Sequence, residues 1–203
     1  MVPTIDIVRH AEARHNVEGN YLRDPELTAQ GIQQCSILCN TYPYMQKVTH
    51  IVSSPLRRAI QTTLLCFGPV SAKIVLLPEL QETTARPSDT GSPRQRLQEE
   101  FGNRIDTSCL LTDDWYLKDA STIFASDPKK VKESARLARV WLREIVRKAG
   151  PDDHIVVVTH SGFVGSLISG PEVKFGNAEF RSCEFAELDG KDNEAILVEK
   201  KVE

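Results

Sequence analysis

The sequence predicts an α/β domain in three layers, α/β/α, around a mostly parallel central sheet. Short apolar runs, Ile5-Asp6-Ile7-Val8, Ile51-Val52 and Ile155-Val156-Val157-Val158 among them, alternate with stretches of helical period. The last run is β-branched at every position, the pattern of a central strand buried on both faces. Polar signatures stand directly behind three of the runs: Arg9-His10, Ser53-Ser54 and Thr159-His160-Ser161-Gly162. An open parallel sheet binds its ligands at that edge.

Thr4 to Val8 reads as the first strand. Thr28 can cap a helix whose apolar face is Ile32, Cys35, Leu38 and Cys39. His50 to Ser53 is a second strand, and Ser54-Pro55 opens a helix through about Cys66, with proline at its first position. Lys73 to Leu77 is a third strand, ended by Pro78. Residues 79–128 change character: Pro87-Ser88-Asp89-Thr90-Gly91-Ser92-Pro93 is rich in turn formers, and only Leu97, Phe101 and Ile105 hint at a helix. This stretch is expected to be an insertion over the active-site edge of a single domain spanning 1–203. Asp127-Pro128 then starts a helix in which Val131, Ala135, Ala138, Leu142, Ile145 and Ala149 alternate steps of four and three, until Gly150-Pro151 stops it. Ile155 to Val158 is the buried strand, Ser161 to Ser169 a short helix, and Ser182–Leu188 and Ala195–Lys200 are the last strands expected.

Composition narrows the function. Hydrophobic residues make up 40% and charged residues 26%, as in ordinary globular proteins. Lys and Arg (25) against Asp and Glu (28) leave a net charge of −3, without the cationic excess that nucleic acid or an anionic membrane would require. No run approaches the ~20 apolar residues of a membrane span, and the first residues lack the apolar core of a secretory leader. Five cysteines (Cys35, Cys39, Cys66, Cys109 and Cys183) without C-x-x-C spacing read as reduced, mostly buried thiols in a cytoplasmic protein.

Two or three guanidiniums, two imidazoles and the starts of helices, gathered on one sheet edge, suit a phosphate group. Several phosphate chemistries lack their signatures. There is no G-x-x-x-x-G-K-[ST] loop. A cysteine phosphatase has an Arg six residues after its thiolate, but Thr41, Met45, Ala72, Trp115 and Asp189 hold those places here. H-E-x-x-H is missing, and Thr159 and Phe163 stand where a serine-hydrolase elbow has glycines. Metal-dependent hydrolysis stays open, since Asp113-Asp114 and several histidines exist, although no pair has ligand spacing. Histidine as the nucleophile fits best.

The whole pattern resembles the histidine phosphatase superfamily, the phosphoglycerate mutase-like proteins. Its carriers, in the family's order, are Arg9-His10-Ala11-Glu12 with Asn16, Leu27-Thr28 with Gly31, Ser54-Pro55-Leu56-Arg57-Arg58-Ala59-Ile60-Gln61-Thr62 and Thr159-His160-Ser161-Gly162. Leu80-Gln81-Glu82, Asp89-Thr90-Gly91 and Asp114-Trp115 are similar to a fungal and plant subset of these phosphatases. The resemblance implies that His10 attacks phosphorus and carries it as a phosphohistidine. It implies that Arg9 and Arg58 clamp the phosphoryl oxygens, that His160 donates to another, and that Asn16 and Ser161 lie in the same substrate-binding set. Glu82 is the implied general acid, since a carboxyl beside a phosphate's negative charge favours its protonated form; Asp89 is the runner-up. Arg57 reads as a supporting or surface residue, and His15 as pocket rim or surface.

No metal and no cofactor are implied, and the expected partner is a small phosphomonoester. Ala11 stands where the family has glycine, which would strain a backbone of positive φ. The chain lacks the extra segments that enclose a bisphosphate in cofactor-dependent mutases, so hydrolysis is expected over a phosphoglycerate mutase-type transfer or a phosphate-binding pseudoenzyme. Arg86, Arg94, Arg96, Arg104 and Lys118 could meet a second anionic group, and Trp115, Tyr116 and Phe124 an apolar one.

Overall fold

A computed structural model describes residues 2–170 and 174–200. Among the described residues seven strands form one sheet: β1 (Thr4–Arg9), β2 (Val48–Ser53), β3 (Ile74–Leu76), β4 (Ile105–Asp106), β5 (His154–Thr159), β6 (Phe180–Phe185) and β7 (Leu197–Glu199). Their order is β4-β3-β2-β5-β1-β6-β7. The first five pair in parallel, and β6 and β7 extend the sheet antiparallel beside β1. The helices are α1 (Arg14–Glu18), α2 (Ala29–Thr41), α3 (Arg57–Phe67), α4 (Arg94–Phe101), α5 (Pro128–Val146) and α6 (Ser161–Leu167). The fold is therefore the mostly parallel α/β/α arrangement expected.

Period-two alternation in the central strands divides the core. Val8, Val156 and Val158 pack with Cys35, Leu38, Ile60 and Phe67 of α2 and α3. Ile5, Ile7, Ile155 and Val157 pack with Ala135, Ala138, Leu142, Phe163 and Leu167 of α5 and α6. Every residue of β5 is buried, which is why its sequence shows no polar alternation. The buried carboxylate of β1, Asp6, accepts hydrogen bonds from Tyr42 (2.5 Å) and Ser182 (2.5 Å) and contacts His154. Its burial is thus fully compensated.

Several boundaries differ from the sequence reading, each for a local reason. Ile32 is exposed, and the buried face of α2 is Gly31, Cys35 and Leu38. Gly31 turns the helix inward: a Cβ there would lie 2.0 Å from the Glu12 carbonyl oxygen. α3 begins at Arg57 rather than Pro55, because Asp24 Oδ1 accepts the Arg57 N–H (2.9 Å) while the Ser54 hydroxyl accepts from Leu56 (3.3 Å). Asp24 adopts φ 44°, a left-handed conformation Asp tolerates, and burial pushes its carboxyl up to about 6. Ile105 belongs to β4, outside any helix. α5 starts where expected, with Asp127 accepting from Lys129 (2.9 Å) and Lys130 (3.2 Å). It ends at Val146, before Ala149. The five cysteines are free; Cys35, Cys66 and Cys183 are buried, Cys39 and Cys109 partly so. Among the described residues no helix is long and apolar enough to cross a membrane.

Candidate active site

Adjacent parallel strands bring the three polar signatures to one edge. Arg9 is in register with Thr159, and Ser53 with Val158. The backbone bonding continues one residue beyond, His10 N–H to Thr159 O (2.9 Å) and Ser54 N–H to Val158 O (2.9 Å). His10 and His160, far apart in sequence, consequently stand with ring centroids 5.0 Å apart. A cavity of about 790 Å³ at the opposite edge, lined by Thr4, Tyr44 and His154 among others, holds none of these residues.

His10 is 2% exposed. Its Nδ1 lies 2.7 Å from the Ala11 carbonyl, which can only accept, so Nδ1 carries the proton. Nε2 is then a bare lone pair, and it accepts from Arg58 Nε (3.3 Å). Burial first, and the Arg58 charge second, hold His10 well below the usual histidine range. The ring is neutral, with its free nitrogen facing a guanidinium.

Arg58, fully buried, is fixed on its other side as well. Nη1 donates to the Ser88 carbonyl (2.6 Å) and Nη2 to Asp89 Oδ1 (2.9 Å), while Thr84 donates to the second Asp89 oxygen. Asp89, considered above as an acid, is the ion-pair partner of Arg58. Two of the five guanidinium N–H groups have no partner in this set. Arg57 points outward to Glu100 (2.8 Å). Ala11 is absent from the residues of positive φ, so the strain considered for it does not arise. Its N–H is held by Thr62 Oγ1 (3.0 Å) on α3.

His160 precedes α6, with Nε2 2.8 Å from the Ser54 hydroxyl. Burial, then Arg58, also keeps it well below the usual range. Arg9 donates from Nη1 to Phe175 O (2.7 Å), and desolvation lowers its pKa. Among the described residues, Arg9 Nε, His160 Nδ1 and His15 Nδ1 are buried polar atoms without a hydrogen-bond partner.

Glu82 is half-buried. Its carboxylate accepts from its neighbour Thr83 N–H (2.9 Å) and from Gly162 N–H (3.3 Å) at the start of α6. Gly162 is what permits this approach, since a Cβ there would lie 2.3 Å from Glu82 Oε1. The loop is anchored by Thr159, whose hydroxyl donates to the Leu80 carbonyl (2.7 Å). Lys118 donates to the Glu82 carbonyl; desolvation pushes its ammonium down to about 8, against the pull of Asp89 and Glu82. Trp115 is buried beneath Gly91 and belongs to the core, whereas Tyr116 packs under Arg23. Asn16 and Ser161 lie at the exposed margin. His15, left between rim and surface by the sequence, has its ring 5.6 Å from that of His10. Among the described residues no three His, Cys, Asp or Glu side chains form a metal-ligating group.

Such a site can present a neutral nucleophile, fixed cations and a nearby carboxyl to one tetrahedral anion. A family model described as the histidine phosphatase superfamily (branch 1) matches residues 5–199. No curated protein matches the chain by sequence. Among solved structures, a mycobacterial glucosyl-3-phosphoglycerate phosphatase complexed with VO3 is similar at TM-score 0.60 and 21% identity, over 90% of this chain and 93% of that one. A phosphoserine phosphatase mutant from Entamoeba histolytica, in complex with phosphoserine, gives TM-score 0.61 and 18% identity over 98% and 95%. The ecdysone phosphate phosphatase from Bombix mori, in complex with tungstate, gives 0.64 and 14% over 90% and 89%. At these identities the likeness is one of fold.

Proposed function

The chain belongs to the histidine phosphatase superfamily, branch 1, and on that premise we propose that it hydrolyses small phosphomonoesters through a phosphohistidine on His10, with no metal in the scheme. The observation that carries this reading is the bare Nε2 of a neutral, buried His10, with Arg9 Nε and His160 Nδ1 nearby and unpartnered among the described residues. A neutral imidazole can attack phosphorus directly, and preorganised donors stabilise charge spread over the transferring phosphoryl oxygens. The substrates named for the similar structures, phosphoserine and ecdysone phosphate among them, support the same chemical class.

In the first step the His10 Nε2 lone pair forms a P–N bond as the P–O ester bond breaks. The leaving oxygen takes a proton from Glu82. In the second step Glu82, now a carboxylate, takes a proton from water, whose oxygen attacks phosphorus while the P–N bond breaks. Inorganic phosphate leaves, and His10 returns to its neutral form. Arg9 and Arg58 hold the phosphoryl oxygens throughout, and Nδ1 of His160 donates to another once the Ser54 hydroxyl donates to its Nε2.

The test is phosphate release over a panel of phosphomonoesters with chelator present, with rapid quenching to trap the phosphoenzyme. Wild type is expected to turn over and to carry label on His10, and His10→Ala to lose at least about a thousandfold in kcat. Activity abolished by chelator, or retained by His10→Ala, overturns the mechanism. A phosphorylated acceptor included in one arm separates hydrolysis from transfer.

A further inference from the structure

His10 has a second imidazole neighbour besides His160, and its protonation is fixed by a chain of bonds. Ala13 N–H donates to Asn16 Oδ1 (3.0 Å), which settles the orientation of the Asn16 amide, because only its oxygen can accept. Asn16 Nδ2, 3.2 Å from His15 Nε2, is then the donor of that pair. A ring nitrogen that accepts carries no proton, so the proton of neutral His15 sits on Nδ1. Burial, followed by the Arg58 charge, holds the ring down to about 4, so this neutral tautomer persists throughout the physiological range. Nδ1 is buried and has no partner among the described residues. The groups whose charges act on this ring are Arg58, Asp89 and Arg9, which belong to the phosphate site. A buried N–H left unbonded is costly inside a protein, and a ligand oxygen would relieve that cost.

We propose that His15 is a substrate-binding residue whose Nδ1–H donates to an oxygen of the bound phosphomonoester, its tautomer held by Asn16, which keeps the place in the substrate-binding set that the family resemblance implies. The proposal rests on the phosphatase reading and extends it by one donor. Because His15 is neutral, its hydrogen bond adds direction without adding charge. Losing it weakens anion binding by a factor that varies little with salt, unlike the loss of a guanidinium.

Orthovanadate, as a phosphoryl mimic, tests this by calorimetry and by competitive inhibition, at two ionic strengths. His15→Phe keeps the ring volume and removes the donor. It is expected to weaken orthovanadate binding about tenfold or more, equally at both salt concentrations. His15→Asn restores an N–H near the Nδ1 position and should recover part of the loss, which a merely structural role would not produce. Asn16→Ala should act in the same direction, and His15→Phe/Asn16→Ala should lose less than the product of the two single losses, because Asn16 holds the His15 tautomer. Orthovanadate binding by His15→Phe equal to wild type, with folding verified by thermal unfolding, refutes the substrate contact. Losses that multiply in full in the double variant refute the coupling of Asn16 to the His15 tautomer. A wild type that neither binds orthovanadate nor releases phosphate fails at the level of the phosphatase reading, and is recognised as such because every variant then behaves alike.

Discussion

Histidine attacks phosphorus only when one ring nitrogen is bare and stays bare at working pH. In this chain that condition is met by a single carbonyl, that of Ala11, and by a guanidinium facing the opposite nitrogen. The sequence made Arg9, His10, Arg58 and His160 legible, because each follows a strand run at a recognisable spacing. It could not reveal the Ala11 carbonyl, the Ser88 and Asp89 contacts that orient Arg58, or the Asn16 bond to His15. Those depend on backbone direction and on loops that meet only in three dimensions. Glu82 offers a sharper test at this scale. Gly162→Ala should displace its carboxyl, given a Cβ 2.3 Å from Oε1. If Glu82 protonates the leaving oxygen, both Gly162→Ala and Glu82→Gln should slow alkyl phosphates by about a hundredfold or more. Aryl phosphates, whose leaving oxygen needs little protonation, should be nearly spared. An equal loss on both substrate types would remove Glu82 from the acid role.

Among the elements, α5 and β5 were the most readable, because a long four-three repeat and a continuous β-branched run each leave one structural choice. β4 has two residues and α1 has five, too few for any period to register. In α2 the Thr28 cap and the burial of Cys35 and Leu38 agree with the sequence, but Ile32 does not share their face. Ile32 looked like core by its side chain, whereas the deciding residue is a glycine that lets the helix press on the Glu12 backbone. Gly31→Ala is therefore expected to destabilise the protein by about 1–3 kcal/mol, measured by chemical denaturation. Ile32→Ala, on the exposed side, should stay within about 0.5 kcal/mol. The reverse ranking would put Ile32 back on the buried face.

For the molecule as a whole, the same burial that keeps the site imidazoles neutral makes its stability depend on pH. His10 and His160 are held well below 6.5 and His15 down to about 4, while the unfolded chain protonates all three near 6.5. The unfolded state thus binds more protons as pH falls below about 6.5, and stability must fall with it. Each such site contributes a slope of up to roughly 1.4 kcal/mol per pH unit. Asp24, raised to about 6, works in the opposite direction below that pH and offsets part of the loss. Denaturant unfolding from pH 7.5 to 4.5 should show stability declining below 6.5, with a shallower decline in His15→Phe by about one proton. A flat profile, or one rising towards acid, would mean that the rings are not buried in the neutral form.

The neighbouring places of β1 and β5 in the sheet have a consequence for how the protein is born. His10 is made directly after β1, but the strand that brings His160 beside it follows only after more than a hundred further residues. At ordinary rates of translation the gap lasts on the order of ten seconds. Throughout that interval β1 lacks its central hydrogen-bonding neighbour, and the nascent polypeptide holds only one of the two facing imidazoles. The edge where His10 and His160 meet therefore forms only once β5 has been made.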